Sequence, residues 1–155
     1  MRKVTVDDLD DRVGPASVSR PLSDALGTAN LAANYYELAP GESSAYGRHA
    51  HADQEELFYV LDGAVTFRGR DGDLAAGTGD VVRVGPGEFQ RCVNDGDGRA
   101  TVLAVGAPRD AGETEILREC PDCGGPTSQD LDLVDGDTVV ARCADCGAET
   151  GRFES

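Results

Sequence analysis

The sequence predicts an all-β chain of many short strands, and three observations carry the prediction. Twenty glycines and seven prolines among 155 residues, with no tryptophan, suit tight turns joining short strands. Runs dense in branched and aromatic residues, Leu57-Phe58-Tyr59-Val60-Leu61 foremost, stop at turn signals such as Asp62-Gly63. Two matching Cys-x-x-Cys-Gly segments stand near the C-terminus. A chain of this length can bury one good core and carry a small satellite domain.

Residues 1–28 are polar and mixed and read as an N-terminal arm. Within it, residues 19–27 can form one helical turn, with Pro21 early and Gly27 as the stop. Residues 31–38, with Tyr35 and Tyr36 adjacent, make a first strand ended by Pro40-Gly41. The protein's two histidines, His49 and His51, come next, one residue apart. Side chains alternate across a strand, so both point to one face. Glu56 heads the following strand, and two imidazoles with a nearby carboxylate are what a divalent metal needs. If Glu56 faces that metal, Phe58 and Val60 face inward while Leu57, Tyr59 and Leu61 face outward. Residues 64–68 form a strand, Asp71-Gly72 a hairpin turn, and residues 100–105 a last strand before a linker at 106–112.

Residues 49–63 resemble the first motif of the cupin family: two histidines one apart, then a glutamate, then a glycine, here His49, His51, Glu56 and Gly63. Gly41 lies two residues further from His49 than the family's leading glycine. Residues 79–94 resemble the second motif, with Gly79, Gly87 and Asn94 in register. There Gly85 stands at the proline position with Pro86 one place late, and Gln90 stands where the family has its third metal-binding histidine. The resemblance implies a double-stranded β-helix, the cupin jelly-roll barrel, over residues 29–112, with a metal in its mouth. The ligand set it implies is His49, His51, Glu56 and Gln90. Glutamine offers a neutral, harder and weaker oxygen than imidazole, directly or through water, and its alternative role is a polar pocket residue. The set suits zinc, manganese, iron or nickel.

The tail, residues 113–155, resembles a zinc ribbon. Cys120-Pro121-Asp122-Cys123-Gly124 and Cys143-Ala144-Asp145-Cys146-Gly147 enclose nineteen residues between Cys123 and Cys143. Four thiolates from two such turns make a closed, structural zinc site. A hairpin of residues 131–134 and 138–142 turns at Asp135-Gly136-Asp137. Disulfides are the rival account, disfavoured by a reducing cytosol and by the paired glycines. The fifth cysteine, Cys92, shares strand parity with Gln90 and either lines the pocket or packs as a small hydrophobe.

The formal charge is -15, and Lys3 is the only lysine. Acidity with lysine poverty fits a halophile's cytosol, where salt mutes self-repulsion; a merely soluble acidic surface is the plainer account. No apolar run has the length of a membrane span, and residues 1–8 lack a signal peptide's apolar core, so a cytoplasmic protein without a membrane partner is expected. The tail holds three arginines against eleven acids, a net of -8, which disfavours nucleic acid. The Tyr35-Tyr36 pair reads as strand core before base stacking. The apolar outer face of the Glu56 strand needs a cover, and a homodimer is expected.

Two functions stand open. One is a metal-dependent enzyme, of dioxygenase or isomerase kind as the resemblance implies, acting on a small organic molecule. Glu55 would then point away from the site, and Arg68, Arg83 and Arg91 would contact an anionic substrate if they face the mouth. The other is a non-catalytic ligand-binding or regulatory module whose ribbon docks a protein partner. No catalytic residue is named by the sequence, and the fold does not fix the reaction.

Overall fold

The computed structural model describes residues 1–154, nearly all regular structure being antiparallel strand. A 3-10 turn at Val6–Asp8 precedes β1 (Val18–Pro21) and the short helix α1 (Ser23–Leu26). The helical turn ends as expected at Gly27, whose φ of 69° closes it in the left-handed region. Then follow β2 (Ala32–Leu38), β3 (Arg48–His51), β4 (Glu55–Asp62), β5 (Ala64–Arg68), β6 (Asp73–Gly77), β7 (Val81–Val84), β8 (Cys92–Val93) and β9 (Ala100–Ala107). The tail contributes β10 (Thr114–Cys120), β11 (Gly125–Val134), β12 (Thr138–Cys143) and β13 (Glu149–Glu154). Among the described residues no helix is long and apolar enough to cross a membrane.

One sheet runs β1-β2-β9-β4-β7, and a smaller one runs β6-β5-β8. The core lies where their inward residues meet: Leu38, Phe58, Val60, Val82, Val102 and Ala104 from the larger, Val65, Phe67, Ala76 and Cys92 from the smaller. Strand alternation explains the selection. On β4, Phe58 and Val60 are buried while Leu57, Tyr59 and Leu61 are exposed, as the sequence parity requires. Phe58 and Phe67 meet edge to face with ring centroids 5.1 Å apart. Cys92 is fully buried in this core, and burial pushes its thiol up to about 12, so it packs as a hydrophobe. Asn94, fully buried, staples the turn behind it by donating to the Leu38 and Gly98 carbonyls at 2.8 and 2.7 Å and accepting from the Gly96 N–H at 3.0 Å.

The third sheet runs β13-β12-β11-β10-β3 and joins the tail to the barrel. The first tail strand, β10, pairs with β11 on one edge and with β3 on the other, Thr114 opposite His51 and Ile116 opposite His49. The cause is the open edge of β3, whose backbone groups need partners. Gly47 permits the approach, since a Cβ there would lie 2.6 Å from the Leu117 carbonyl oxygen. On the far side of the tail, the Phe153 ring of β13 packs edge-on against Tyr46 at 5.0 Å.

Phe58→Ala empties the meeting point of the two barrel sheets and is expected to lower unfolding free energy by about 3–5 kcal/mol in urea titration. Leu57→Ala, one residue away on the exposed face, is expected to change it by less than about 1 kcal/mol in the monomer.

Candidate metal centre

His49 and His51 lie on the inward face of β3, and Glu56 stands at the start of β4. Side-chain exposures of 12, 17 and 15% put all three at the rim of the buried interior. The Glu56 Oε2 lies 3.7 Å from His51 Nε2 and 4.0 Å from His49 Nε2. Ligand atoms of a metal-bound trio sit about 3.0–3.5 Å apart, so closure by a few tenths of an ångström suffices.

The other ring nitrogens fix which atoms face inward. His49 Nδ1 is 3.3 Å from the Gly47 carbonyl oxygen, an obligate acceptor, so Nδ1 carries the proton and Nε2 the lone pair. His51 Nδ1 is 2.8 Å from the Thr114 hydroxyl of β10. With that hydroxyl accepting, the second Nε2 lone pair also points at Glu56. Burial, then the neighbouring His51, lowers the His49 pKa to about 4, and burial lowers that of His51. Burial pushes Glu56 up to about 7, against a hydrogen bond from Gln90. Two neutral imidazoles beside a carboxylate are a donor set that could hold a metal ion.

Gln90 faces His49 across a β-bridge, with both backbone N–H···O bonds at 2.9 Å. Its Nε2 lies 3.3 Å from His49 Nε2 and 3.4 Å from Glu56 Oε2, while its buried Oε1 has no hydrogen-bond partner among the described residues. An unpaired buried amide oxygen is costly. Turning the same amide over aims that oxygen where both imidazole lone pairs converge, so the donor set fits a divalent ion.

Above these residues opens a cavity of about 300 Å³, walled by Asn34, Tyr36, Tyr46, Phe58 and Ile116. Arg12 and Arg109 stand at its edge. Arg109 is bound to Asp24 and the Thr28 carbonyl, whereas Arg12 has no carboxylate partner among the described residues. Burial pushes the Tyr36 phenol up to about 12 with the Arg12 charge opposing, which places that cation beside the cavity. Arg68, Arg83 and Arg91 do not line it. Arg68 pairs with Asp73 and Asp95, Arg83 with Glu55, and Arg91 bonds Ser43. Strand parity explains Arg83, which is exposed on β7 and turned outward with Glu55. Arg12 and Thr114 escaped sequence reading because one lies in an arm without pattern and the other in a tail strand whose pairing with β3 is distant in sequence.

In the tail, Cys120, Cys123, Cys143 and Cys146 bring their sulfurs within 4.8 Å of one another. The Cys120–Cys146 and Cys123–Cys143 separations are 3.6 and 3.8 Å. A tetrahedron with Zn–S bonds of about 2.3 Å has edges of about 3.8 Å, whereas a disulfide needs about 2.05 Å. The two knuckles match: Gly124 and Gly147, at φ 77° and 78°, donate to the Cys120 and Cys143 carbonyls at 2.9 and 2.8 Å. The cluster could hold a metal.

Thr114→Val removes the hydroxyl that orients His51 while keeping shape. It is expected to weaken metal binding at the barrel by about tenfold or more. Because Glu56 holds a proton below about pH 7, binding there displaces it. Affinity is therefore expected to fall about tenfold per pH unit below 7, with one proton released in paired-buffer calorimetry, and to lose that dependence in Glu56→Gln.

Residues 34–106 match the family model described as a cupin domain. No curated protein matches the chain. Among solved structures, a sugar phosphate isomerase of the cupin superfamily from Silicibacter pomeroyi is 24% identical, with a TM-score of 0.63 over 96% of this chain and 91% of that one. The polyketide cyclase RemF from Streptomyces resistomycificus is 22% identical, TM-score 0.64, over 79% of this chain and 89% of that one. A cupin protein from Bacteroides fragilis is 19% identical, TM-score 0.57, covering 72% and 87%. Such likenesses speak for the fold. The matched segment spans strands of both barrel sheets and the histidine strand, so the family match and the structural likeness together show a cupin-type barrel over those residues.

Proposed function

We propose that the protein is a metal-dependent cupin that holds a divalent transition metal on His49, His51, Glu56 and Gln90 and acts on a small anionic organic molecule in the cavity above. The observation that supports this reading most is the convergence of both imidazole Nε2 atoms and Glu56 beneath a cavity lined also by Arg12, which has no carboxylate partner among the described residues. A bound ion would supply Lewis acidity there, polarising a carbonyl or hydroxyl oxygen of the substrate. The chain's residues do the rest. Arg12 draws an anionic group to the mouth, Asn34 offers an amide to a polar substituent, and Tyr36, Phe58 and Ile116 keep water from the floor. Glu56, half-protonated near pH 7 without an ion, becomes a fixed carboxylate once one binds.

The four tail cysteines act in this reading as a structural zinc staple. The tail's packing on β3 and Tyr46 favours a fixed part of the barrel wall over a free docking arm. Leu57, Tyr59, Leu61 and Val81, exposed at 46, 42, 38 and 60%, are the surface through which a homodimer would form. The acidic surface suits a salt-rich cytosol.

Elemental analysis is expected to find a transition metal in addition to the tail's zinc. His51→Ala should lose the first and retain the second, and Cys143→Ser the reverse. A preparation saturated with metal whose His51→Ala variant keeps the full complement contradicts the assignment. Retention of a small molecule without conversion by the loaded protein supports a binding module instead.

A further inference from the structure

The barrel carries a second cavity, of about 460 Å³, that shares no residue with the first. It lies along the seam between barrel and tail and is lined by Arg48, Arg68, Arg91 and Arg118, with Glu119 and Thr150. Four of the chain's fourteen cationic side chains thus meet in one groove, on a protein of net charge -15. Such crowding runs against the composition. Like charges held together raise the free energy of the fold unless something answers them.

The acids nearby answer only one of the four. Arg68 is paired twice, with Asp73 and Asp95 at 2.9 Å each. Arg48, Arg91 and Arg118 have no carboxylate within 4.0 Å among the described residues, Glu119 included. Arg118 donates to the carbonyl oxygens of Tyr46 and of Thr150, the latter at 2.8 Å from Nη2, and its guanidinium lies 5.4 Å from the Phe153 ring centroid, with no carboxylate among these contacts. Arg91 donates Nε and Nη2 to the Ser43 hydroxyl at 3.1 and 2.9 Å, leaving Nη1 without a partner among the described residues. Arg48 gives Nη1 to the Gly69 carbonyl at 3.3 Å, and its buried Nε has no partner among the described residues. The neighbours are close enough to act on one another: burial, then the Arg118 and Arg68 charges, lower the Arg91 pKa.

We propose that this groove is a binding site for a phosphoryl oxyanion, either inorganic phosphate or the phosphate of a small phosphomonoester. Guanidinium groups match the planar, multiply charged edge of phosphate, and the unused Arg48 and Arg91 donors supply hydrogen bonds as well as charge. The groove is roomier than one phosphate, which leaves space for the carbon part of an ester. Arg118 contributes charge, and Arg68, already neutralised, shapes the wall. Because β3, β5 and the loop of Arg91 line one side of the groove and β10, β11 and β13 the other, the anion also ties the tail to the barrel.

The test uses the full chain loaded with metal, in constant chloride, titrated with inorganic phosphate and in parallel with glycerol phosphate. Saturable one-to-one binding is expected, with the side-chain Nε–H resonances of Arg48 and Arg91 shifting and that of Arg99, paired with Glu37 elsewhere, unmoved. Arg91→Gln should weaken binding by about tenfold or more, and Arg99→Gln by less than about twofold. A tighter glycerol phosphate identifies the ester as the fitting source, and a tighter inorganic phosphate identifies the free ion. No saturable signal, equal loss in Arg91→Gln and Arg99→Gln, or abolition by His51→Ala would each overturn the proposal. The resonance shifts keep it falsifiable should Arg91→Gln fail to fold.

Discussion

The pairing of β10 with β3 is the constraint on which the rest of the molecule depends. Without it β3 is an open edge carrying both histidines, with nothing on its outer side to hold them. With it, the backbone of the histidine strand is bonded along the segment where the ligands sit. The Thr114 hydroxyl lies against His51 Nδ1 and Ile116 closes the cavity wall. The tail is therefore part of the wall around the candidate metal centre. Its four sulfurs anchor the far end of the same strand at Cys120, seven residues that run from thiolate cluster to imidazole. An ordered tail should make the barrel site more rigid, since a preorganised ligand set loses less on binding.

Electrostatics follow the same economy of position. The protein keeps its acids at the surface and buries few ionisable groups, and those it buries sit where a charge can be shared. Glu56 lies between two neutral imidazoles, so the site's charge state changes by one proton near neutrality. The same low local dielectric that disfavours the lone carboxylate makes its attraction to a cation stronger. The arginines are likewise unevenly placed. Arg20, Arg68, Arg83, Arg99, Arg142 and Arg152 each meet acids, whereas Arg12, Arg48, Arg91 and Arg118 meet none among the described residues.

Much of this was legible in the residues. Histidine spacing, strand parity around Glu56 and the Asp135-Gly136 turn depend on local rules, period two and positive φ, and the structure obeys them. The cysteine knuckles were equally plain, because their geometry is set within five residues. What stayed hidden depends on contacts distant in sequence. Thr114 and His51 are sixty-three positions apart, and nothing in Glu113-Thr114-Glu115-Ile116 signals a strand bound to the histidines. Charged residues flanking a short apolar pair look like tail surface. Arg12 was obscure for the same reason: an arm of mixed polarity carries no period from which a direction can be derived.

Anomalous diffraction from crystals of the metal-saturated protein tests the central claim most directly. The account predicts an ion within bonding distance of His49 Nε2, His51 Nε2 and Glu56, with His51 Nδ1 still held by Thr114. An anomalous peak confined to the cysteine cluster at saturating metal, with either imidazole turned away from Glu56, would contradict it.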